Sequence, residues 1–383
     1  MKHTALLLLI FVAALSAGRQ EANAADTSIS QVQLEESWRS DPDEAPYFRS
    51  LSSFILHHNE LYVMDKSSAV IYVYSTTGEL LRRMDVRGEG PGELVAPTNM
   101  MLLSEKSIGL MSAIGPRLVI ITLEGEPSYE FANSEVECYT DSRDFSHAYS
   151  SGFREGKLYF SGEQSVEGRL YLARCDLTGF VEMTYMEWPL RSSPGEYIIN
   201  ESDSFVLSNK NWCTGDGGRV YVAEERCGND HYNIVFYEGD DELFTIEQPY
   251  NTRRRSEVEK AALEEETAGG SKGQQILSSL GGYVAVDDYD PDVVELVEID
   301  GILWVRTSRS EENEGCRTYE LFDREGQFLG QRHIAMKGAN WKKDVVHFLG
   351  DYAVLVKGEY DAKNPGLDPD PDQLQFILTR IEE

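Results

Sequence analysis

The chain has 383 residues, with 35 Lys and Arg against 66 Asp and Glu, and therefore a formal net charge of −31. A field of that sign repels polyphosphates, which excludes nucleic-acid binding as a main activity. Hydrophobic residues make up 41% of the chain and charged residues 26%, so a folded core is expected and a disordered acidic protein is not. The 20 tyrosines, together with many Val, Ile and Thr, favour a β-rich fold.

The N-terminal segment has the pattern of an export signal. Lys2 precedes an apolar run from Ala5 to Ala17, and Ala22-Asn23-Ala24 is a small-x-small cleavage pattern. We therefore expect residues 1–24 to be removed and the remainder to be periplasmic or secreted. The apolar run is too short for a membrane span, no later segment is apolar enough, and no Cys follows the run as in a lipoprotein.

A strand-like segment recurs about every fifty residues from residue 61 onward, and this repeat is the strongest pattern in the sequence. Its six copies are Leu61–Met64, Ile108–Met111, Leu158–Phe160, Val220–Val222, Leu303–Val305 and Ala353–Val356. A second strand follows each copy, and after the first five a turn is centred on Gly78, Gly125, Gly179, Gly239 and Gly326. One four-stranded unit per repeat predicts a six-bladed β-propeller, spanning residues 26–383 as one domain. Two unrelated β-sandwiches are the alternative, but they do not explain the regular spacing of the turns.

The last repeat lacks a fourth strand. Its third strand is predicted over Gln373–Arg380, whereas the strand-like segment Ser28–Glu36 has no unit of its own. We therefore predict that the N-terminal strand completes the sixth blade, which also removes exposed sheet edges.

The segment from Asp65 to Thr98 resembles an NHL-type blade and its junction with the next blade. The motifs that carry the resemblance are Asp65-Lys66, Val70–Gly78, Leu80–Met84, the loop Arg87–Glu93 and Ala96-Pro97-Thr98. The loop is similar to that of exported six-bladed propellers of Bacteroidetes-type bacteria, and Val286–Arg306 fits a later blade in the same way. The resemblance implies a fold and no common reaction.

The resemblance also implies that connections between the second and third strands, and between blades, share one face of the ring. The longest connections fall on that face: Glu224–Asp230, Ser308–Gly315 and Lys357–Asp372. Because variable loops on a rigid scaffold usually carry recognition, we place the functional surface there. Its many carboxylates favour cations, basic segments or metal-assisted sugar binding.

An insertion of about 251–282 separates the fourth and fifth repeats. Ser256 and Glu259 have the spacing of a capping box, good helix formers run to Glu266, and Gly269-Gly270 ends them. The predicted helix is either a mobile lid or, as we expect, a static cover. The run Arg253-Arg254-Arg255 before it meets either a ligand carboxylate or, as we expect, nearby acidic side chains.

Residues at the ends of the second strands are predicted to reach the mouth of the central channel. The candidate ligand-binding residues are Asp65, Arg87, His147, Glu224, Arg306 and Lys357. Two hypotheses remain open for the opposed charges at this place: they bind a polar ligand, or they form a structural ring of ion pairs.

Metal binding has two candidate sets in the sequence. His147, His231 and His347 lie near strand starts, but no spacing links them, so ordinary polar or core histidines are expected rather than zinc ligands. Asp368, Asp370 and Asp372 alternate like the start of a calcium loop yet lack its Gly and distal Glu. The acidic group of Asp287, Asp288, Asp290 and Asp292 is a weaker candidate. We expect no cofactor, with Ca²⁺ as the alternative.

Five cysteines lie in a chain expected to be oxidised after export. Cys175 and Cys213 are expected near the short turns, whereas Cys138, Cys227 and Cys316 are expected near the long loops. If disulfides form, we therefore predict Cys175–Cys213 and Cys227–Cys316, with Cys138 unpaired.

No nucleophile elbow, phosphate loop or dinucleotide fingerprint is present. The sequence therefore favours a non-catalytic recognition or scaffold module that binds a carbohydrate, a peptide or an envelope protein. The alternatives are a metal-dependent propeller enzyme, similar to sugar lactonases or amidating lyases, and a purely structural envelope component.

Overall fold

The structure is a computed structural model. It describes residues 29–41, 43, 46–112, 117–131, 135–137, 147–164, 168–189, 198–200, 211–224, 230–268, 275, 278–279, 282–310, 315–363 and 373–382. The predicted leader therefore lies outside the described residues. The chain begins there with strand β1 (Ile29–Arg39) and continues as six antiparallel units, or blades.

Blades 1 to 3 each contain four strands that pair in chain order. Blade 1 contains β2 (Leu51–His57), β3 (Glu60–Asp65), β4 (Val70–Ser75) and β5 (Leu80–Asp85). Blade 2 contains β6 (Pro97–Ser104), β7 (Ser107–Ser112), β8 (Arg117–Thr122) and β9 (Glu135–Glu137). Blade 3 contains β10 (His147–Arg154), β11 (Lys157–Gln164), β12 (Arg169–Cys175) and β13 (Val181–Pro189).

A small parallel pair, β14 (Ile198–Asn200) with β19 (Tyr283–Ala285), flanks blade 4. Blade 4 contains β15 (Trp212–Thr214), β16 (Arg219–Ala223), β17 (His231–Glu238) and β18 (Asp241–Pro249). Blade 5 contains β20 (Val293–Ile299), β21 (Ile302–Thr307), β22 (Cys316–Phe322) and β23 (Phe328–Ala335). Blade 6 contains β24 (Val345–Leu349), β25 (Tyr352–Lys357), β26 (Gln375–Glu382) and β1.

All six predicted repeat segments are the second strands of their blades, which confirms the sequence repeat. The first strands of neighbouring blades contact one another, so they are the innermost strands and line the centre of the ring. Connections from second to third strands and between blades then lie on one side, which we call the long-loop face. The remaining turns lie on the other side, which we call the short-turn face.

The core consists of six hydrophobic clusters, each between two neighbouring blades. The alternation of side chains along a strand explains this arrangement. In β3, Tyr62 and Met64 pack toward blade 2, whereas Leu61 and Val63 pack toward blade 6. Second strands are therefore buried on both sides, and outer strands such as β5 bury only one.

The N-terminal strand closes the ring as predicted. β1 pairs antiparallel with β26, from Gln33↔Glu382 to Arg39↔Ile377. The structure adds a contact that the sequence did not predict: the first half of β1 also pairs in parallel with β23, from Ile29↔Gln331 to Gln33↔Ala335. Blades 5 and 6 are thereby joined into one eight-stranded sheet. No described helix is long and apolar enough to cross a membrane.

The turn between the third and fourth strands of blade 1 requires glycine at position 78. Gly78 has φ +91, a left-handed conformation that other residues rarely adopt. A Cβ at this position would also lie 2.9 Å from Trp38, whose ring packs between Tyr74 and Phe376. The four other predicted turn glycines also have positive φ.

The insertion between blades 4 and 5 contains helix α1 (Glu257–Thr267). Ser256 and Glu259 form the predicted capping box, so the helix starts where the sequence indicates. No residue of the helix is buried, and its surface is polar. A second, short helix, α2 (Glu359–Lys363), follows β25 on the long-loop face.

Candidate functional site

A cavity of about 970 Å³ opens on the long-loop face above blade 5. Its walls come from three connections: the insertion, the loop after β21, and the segment that joins blades 5 and 6. The charged and amide side chains that line it are Arg253, Arg255, Glu259, Asp290, Arg306, Asn340 and Lys342. Among the described residues the lining thus carries four cationic groups and two acidic ones.

The charge of this cavity differs from the acidic character that the sequence predicts for the long-loop face as a whole. The chain as a whole has a net charge of −31, whereas the lining of this cavity has more cationic than acidic groups. At the cavity, the insertion, the end of β21 and the connection between blades 5 and 6 each contribute basic side chains, and this convergence is not visible in the linear sequence.

The Arg253–Arg255 segment is held as a short strand. Arg254 forms an isolated bridge with Tyr289, the Arg255 amide donates to the Asp288 carbonyl at 2.9 Å, and the Asp290 amide donates to the Arg253 carbonyl at 3.0 Å. Alternation along this segment sends the side chains of residues 253 and 255 to the same side. Both guanidinium groups contact the Asp290 carboxylate, with an Arg255 Nε–Asp290 Oδ1 distance of 2.6 Å.

Asp290 therefore pairs with two arginines, in agreement with the prediction that the arginine run meets nearby acidic side chains. Arg253 also contacts Glu259. Hydrogen bonds from the Ser256 amide and hydroxyl, together with Arg253, lower the pKa of Glu259 to about 2. Helix α1 and the arginine segment are thus joined through one ionised carboxylate.

Polar contacts help to hold α1 over this face. Lys260 Nζ lies 2.7 Å from Asp288 Oδ1, and the Tyr360 hydroxyl donates to Glu266 Oε2 at 3.3 Å. Because Asp288 and Asp290 are both engaged by basic side chains, the acidic group of the insertion has the contacts of a salt-bridge network rather than of a calcium loop.

Arg306 and Lys342 form the opposite wall. Arg306 Nε donates to Glu295 Oε2 at 2.8 Å, and the same oxygen accepts a hydrogen bond of 3.0 Å from Tyr319 Oη. Lys342 is exposed and forms no ion pair with the described residues. The cavity therefore combines guanidinium groups fixed by carboxylates with one ammonium group that is available to a ligand.

Two further lining residues bury polar atoms that lack hydrogen bonds. The hydroxyl of Ser310 and Nε1 of Trp341 have no partner among the described residues, and these residues are 4% and 6% exposed. Buried polar atoms are normally satisfied, so each such exception calls for an explanation. A polar ligand or ordered water in the cavity supplies one.

The predicted channel-mouth residues have different surroundings in the structure. Of the six, Arg306 alone lines the cavity. Asp65 is 1% exposed, and its carboxylate accepts hydrogen bonds from the amides of Arg49, Ser50 and Ser67. Its role is to join two adjacent loops, because a carboxylate at a strand end can satisfy several backbone N–H groups at once.

The other channel-mouth candidates have local partners as well. Arg87 donates to the Ser67 carbonyl at 2.8 Å, and Glu224 accepts from Asn233 Nδ2 at 2.8 Å. Lys357 Nζ donates to the Gly338 carbonyl at 2.9 Å and lies 3.9 Å from Asp344 Oδ2. His147 pairs with Glu163 through the backbone; its side chain is outside the described set.

The structure describes the side chains of two residues of the predicted histidine set, and it does not test the aspartate set. His231 Nδ1 contacts Asp230 at 2.8 Å in blade 4, whereas His347 packs against Phe54 at the interface of blades 6 and 1. Asp368, Asp370 and Asp372 lie outside the described residues. Sequence reasoning missed the group that does converge within the described chain: His57, His58 and Glu105.

The predicted Cys175–Cys213 disulfide is wrong. Cys213 has a free thiol and packs at the interface of blades 4 and 5, whereas Cys175 is buried at the interface of blades 2 and 3. The two side chains therefore leave opposite sides of the adjacent blades 3 and 4. Cys316 is also a free thiol; its predicted partner Cys227, like Cys138, lies outside the described residues.

Comparison with known families identifies one match. Residues 44–174 match the model of a family described as "6-bladed beta-propeller". This stretch includes the blade motifs from Asp65 to Thr98 and confirms the resemblance and the six-bladed fold. No curated protein matches the chain.

Solved propeller structures align over most of the chain at low identity. A member of the DUF4221 family from Bacteroides vulgatus is 11% identical, with a TM-score of 0.47, over 92% of this chain and 98% of that one. A protein from Bacteroides fragilis whose name calls it exported is 12% identical, with a TM-score of 0.47, over 93% and 100%. A luciferin-regenerating enzyme is 9% identical, with a TM-score of 0.45, over 92% and 95%.

Proposed function

We propose that this six-bladed β-propeller is an exported, non-catalytic recognition module that binds an acidic carbohydrate in the cavity above blade 5. The observation that carries the proposal is the charge of the described lining, four cationic groups against two acidic ones, in a chain of net charge −31. A ligand with a carboxylate gains charge-assisted hydrogen bonds there, and Arg306 and Lys342 are the groups best placed to donate them.

The size and polarity of the cavity support a carbohydrate over a peptide. Its volume of about 970 Å³ is at the upper end of the range for small-ligand sites. Its apolar lining is limited to Pro291, Val294, Ala339 and the largely buried Trp341. Peptide-binding sites generally offer apolar pockets or a free strand edge, whereas a sugar needs several polar groups at fixed positions.

The alternative is a metal-dependent propeller enzyme of the sugar-lactonase or amidating-lyase type. A catalytic metal keeps an open coordination position for the substrate, so its ligands must line the substrate cavity. The group of three metal-ligating side chains found among the described residues comes from two turns on the short-turn face, away from the cavity. This placement supports recognition as the first proposal.

The proposal is tested by isothermal titration with oligogalacturonate, a neutral cello-oligosaccharide and an oligoglutamate peptide. We expect the oligogalacturonate to bind and Lys342→Glu to weaken binding tenfold or more. Lys337→Glu is the matched control, because Lys337 is exposed on the same connection and does not line the cavity. Absence of oligogalacturonate binding, equal binding of the neutral sugar, preference for the peptide, or equal effects of the two variants would contradict the proposal.

A further inference from the structure

We propose that His57, His58 and Glu105 form a transition-metal site on the short-turn face, with Zn²⁺ as its probe. His57 is the last residue of β2 and His58 begins the turn to β3. Glu105 lies in the corresponding turn of blade 2. The three side chains therefore join the innermost strands of two neighbouring blades, next to the central channel and on the side opposite the cavity.

Two neighbouring histidines of a strand normally point to opposite faces. Here His58 has φ +49 and Asn59 has φ +62, so the strand ends and the chain turns back at once. The two imidazole rings consequently lie together, with centroids 3.8 Å apart. In a continuous strand the two rings would lie on opposite faces, whereas the turn places them side by side.

The distances suit a tetrahedral ion. His58 Nε2 lies 3.1 Å from Glu105 Oε2, and His57 Nε2 lies 3.6 Å from the same oxygen. One ligand atom from each of the three residues falls within 4.8 Å of the others. A zinc ion with bonds of about 2.0–2.2 Å separates its ligand atoms by roughly 3.3–3.6 Å, so small rotations of the side chains complete the geometry.

An independent observation at His57 also points to a ligand. Its side chain is 9% exposed, and its Nε2 has no hydrogen-bond partner among the described residues. At 3.6 Å the Glu105 oxygen is too distant for a hydrogen bond. A buried imidazole nitrogen directed at a carboxylate, with nothing bound to it, has the arrangement that a metal ion satisfies.

The donor set selects the kind of metal. Imidazole nitrogens suit Zn²⁺, Ni²⁺ and Cu²⁺, whereas Ca²⁺ and Mg²⁺ require oxygen ligands. His58 and Glu105 are 66% and 76% exposed, so the ion reaches the site from solvent and retains a coordination position for water. Because it bridges two blades, the bound ion also stabilises the folded ring.

The test is to measure Zn²⁺ binding to the purified protein by isothermal titration calorimetry, and to measure its thermal unfolding with and without the metal. We expect one ion per chain at this site and a higher unfolding temperature with the metal. His58→Asn and Glu105→Gln should each weaken binding tenfold or more; asparagine tolerates the left-handed conformation, so the turn is preserved. His231→Asn is the matched control, because His231 also pairs with a carboxylate but has no third ligand among the described residues.

Cysteine thiols are the competing ligands, and Co²⁺ distinguishes them. We expect a Co²⁺ spectrum without thiolate-to-metal charge transfer. Such charge transfer, unchanged affinity in His58→Asn and Glu105→Gln, or failure to bind Zn²⁺ at 1 mM (roughly the weakest affinity of a useful site) would each overturn the proposal. The sugar titration addresses the opposite face, so either proposal can fail without the other.

Discussion

The two faces of the propeller are built on the same six repeats, but their connections differ in length and in the contacts that hold them. The short-turn face has tight turns with left-handed residues such as Gly78 and His58. Loops on the long-loop face also rely on contacts between residues distant in sequence, such as Arg255 with Asp290 and Arg309 with the Asn251 carbonyl. A side-chain charge pair can be exchanged for contacts with a ligand, whereas a left-handed backbone conformation cannot.

The largest expected effect is on the long-loop face. Asp290→Asn removes the negative charge that pairs with the guanidinium of Arg255, which is 6% exposed and also donates to the Asp287 carbonyl, and breaking a buried pair in this way costs about 3 kcal/mol. Urea unfolding at pH 7 measures the loss. Asp85→Asn is the control, because its pair with Arg83 is solvent-exposed and contributes little. Equal losses in the two variants would show that charge does not hold the cavity wall.

A smaller effect is expected on the short-turn face. Substitutions of two glycines there distinguish the cost of an unfavourable backbone conformation from the cost of a steric clash. Gly78→Ala meets both a left-handed φ and the Trp38 ring, whereas Gly239→Ala meets the left-handed φ alone, with no atom within 4 Å of the new Cβ. We expect losses of about 2 kcal/mol and about 1 kcal/mol in the free energy of unfolding. Identical losses would mean that Trp38 moves aside and does not brace the turn.

The capping box of α1 provides a local, pH-dependent test of the long-loop face. Ser256→Ala should cost about 1 kcal/mol of helix stability, and Ser256→Gly only a few tenths of that. The lowered pKa of Glu259 means that its contribution is complete above its ordinary value of 4.5 and is lost as the pH falls toward about 2. Hydrogen exchange of the α1 amides reports both effects; protection in α1 that is insensitive to Ser256→Ala would contradict this account.

The smallest effect concerns thiol reactivity on the two faces. Burial and the nearby Glu298 carboxylate raise the pKa of Cys213, so its thiol stays protonated near neutral pH and reacts slowly. Cys316 lies at the start of β22, near the long-loop face. Mass spectrometry of alkylated peptides at pH 8 should show slower modification of Cys213 than of Cys316. Faster modification of Cys213 than of Cys316 would contradict the burial of the Cys213 thiol.

The sequence was sufficient to predict features that depend on local chemistry. The six repeat strands, the five turn glycines and the cap at Ser256 each follow from residue type at a fixed spacing, and the structure confirms them. The closing of blade 6 by β1 was also predictable, because one blade lacked a strand and one strand lacked a blade.

Features that depend on which blades meet could not be read from the sequence. Strand register decides the side of the blade on which a side chain lies. It directs Cys175 toward blade 2 and Cys213 toward blade 5, so the predicted disulfide between them does not form. The cavity and the His57–His58–Glu105 group arise where separate connections converge. Of the predicted binding residues, Arg306 reaches the cavity because its strand end happens to meet the insertion.

The central claim is that the cavity above blade 5 is the ligand site, and a crystal structure of the protein with oligogalacturonate tests it most directly. The account predicts density for the sugar in the cavity, with a carboxylate within hydrogen-bonding distance of Lys342 Nζ or Arg306. Density in the central channel or on the short-turn face, with the cavity filled by solvent, would contradict it.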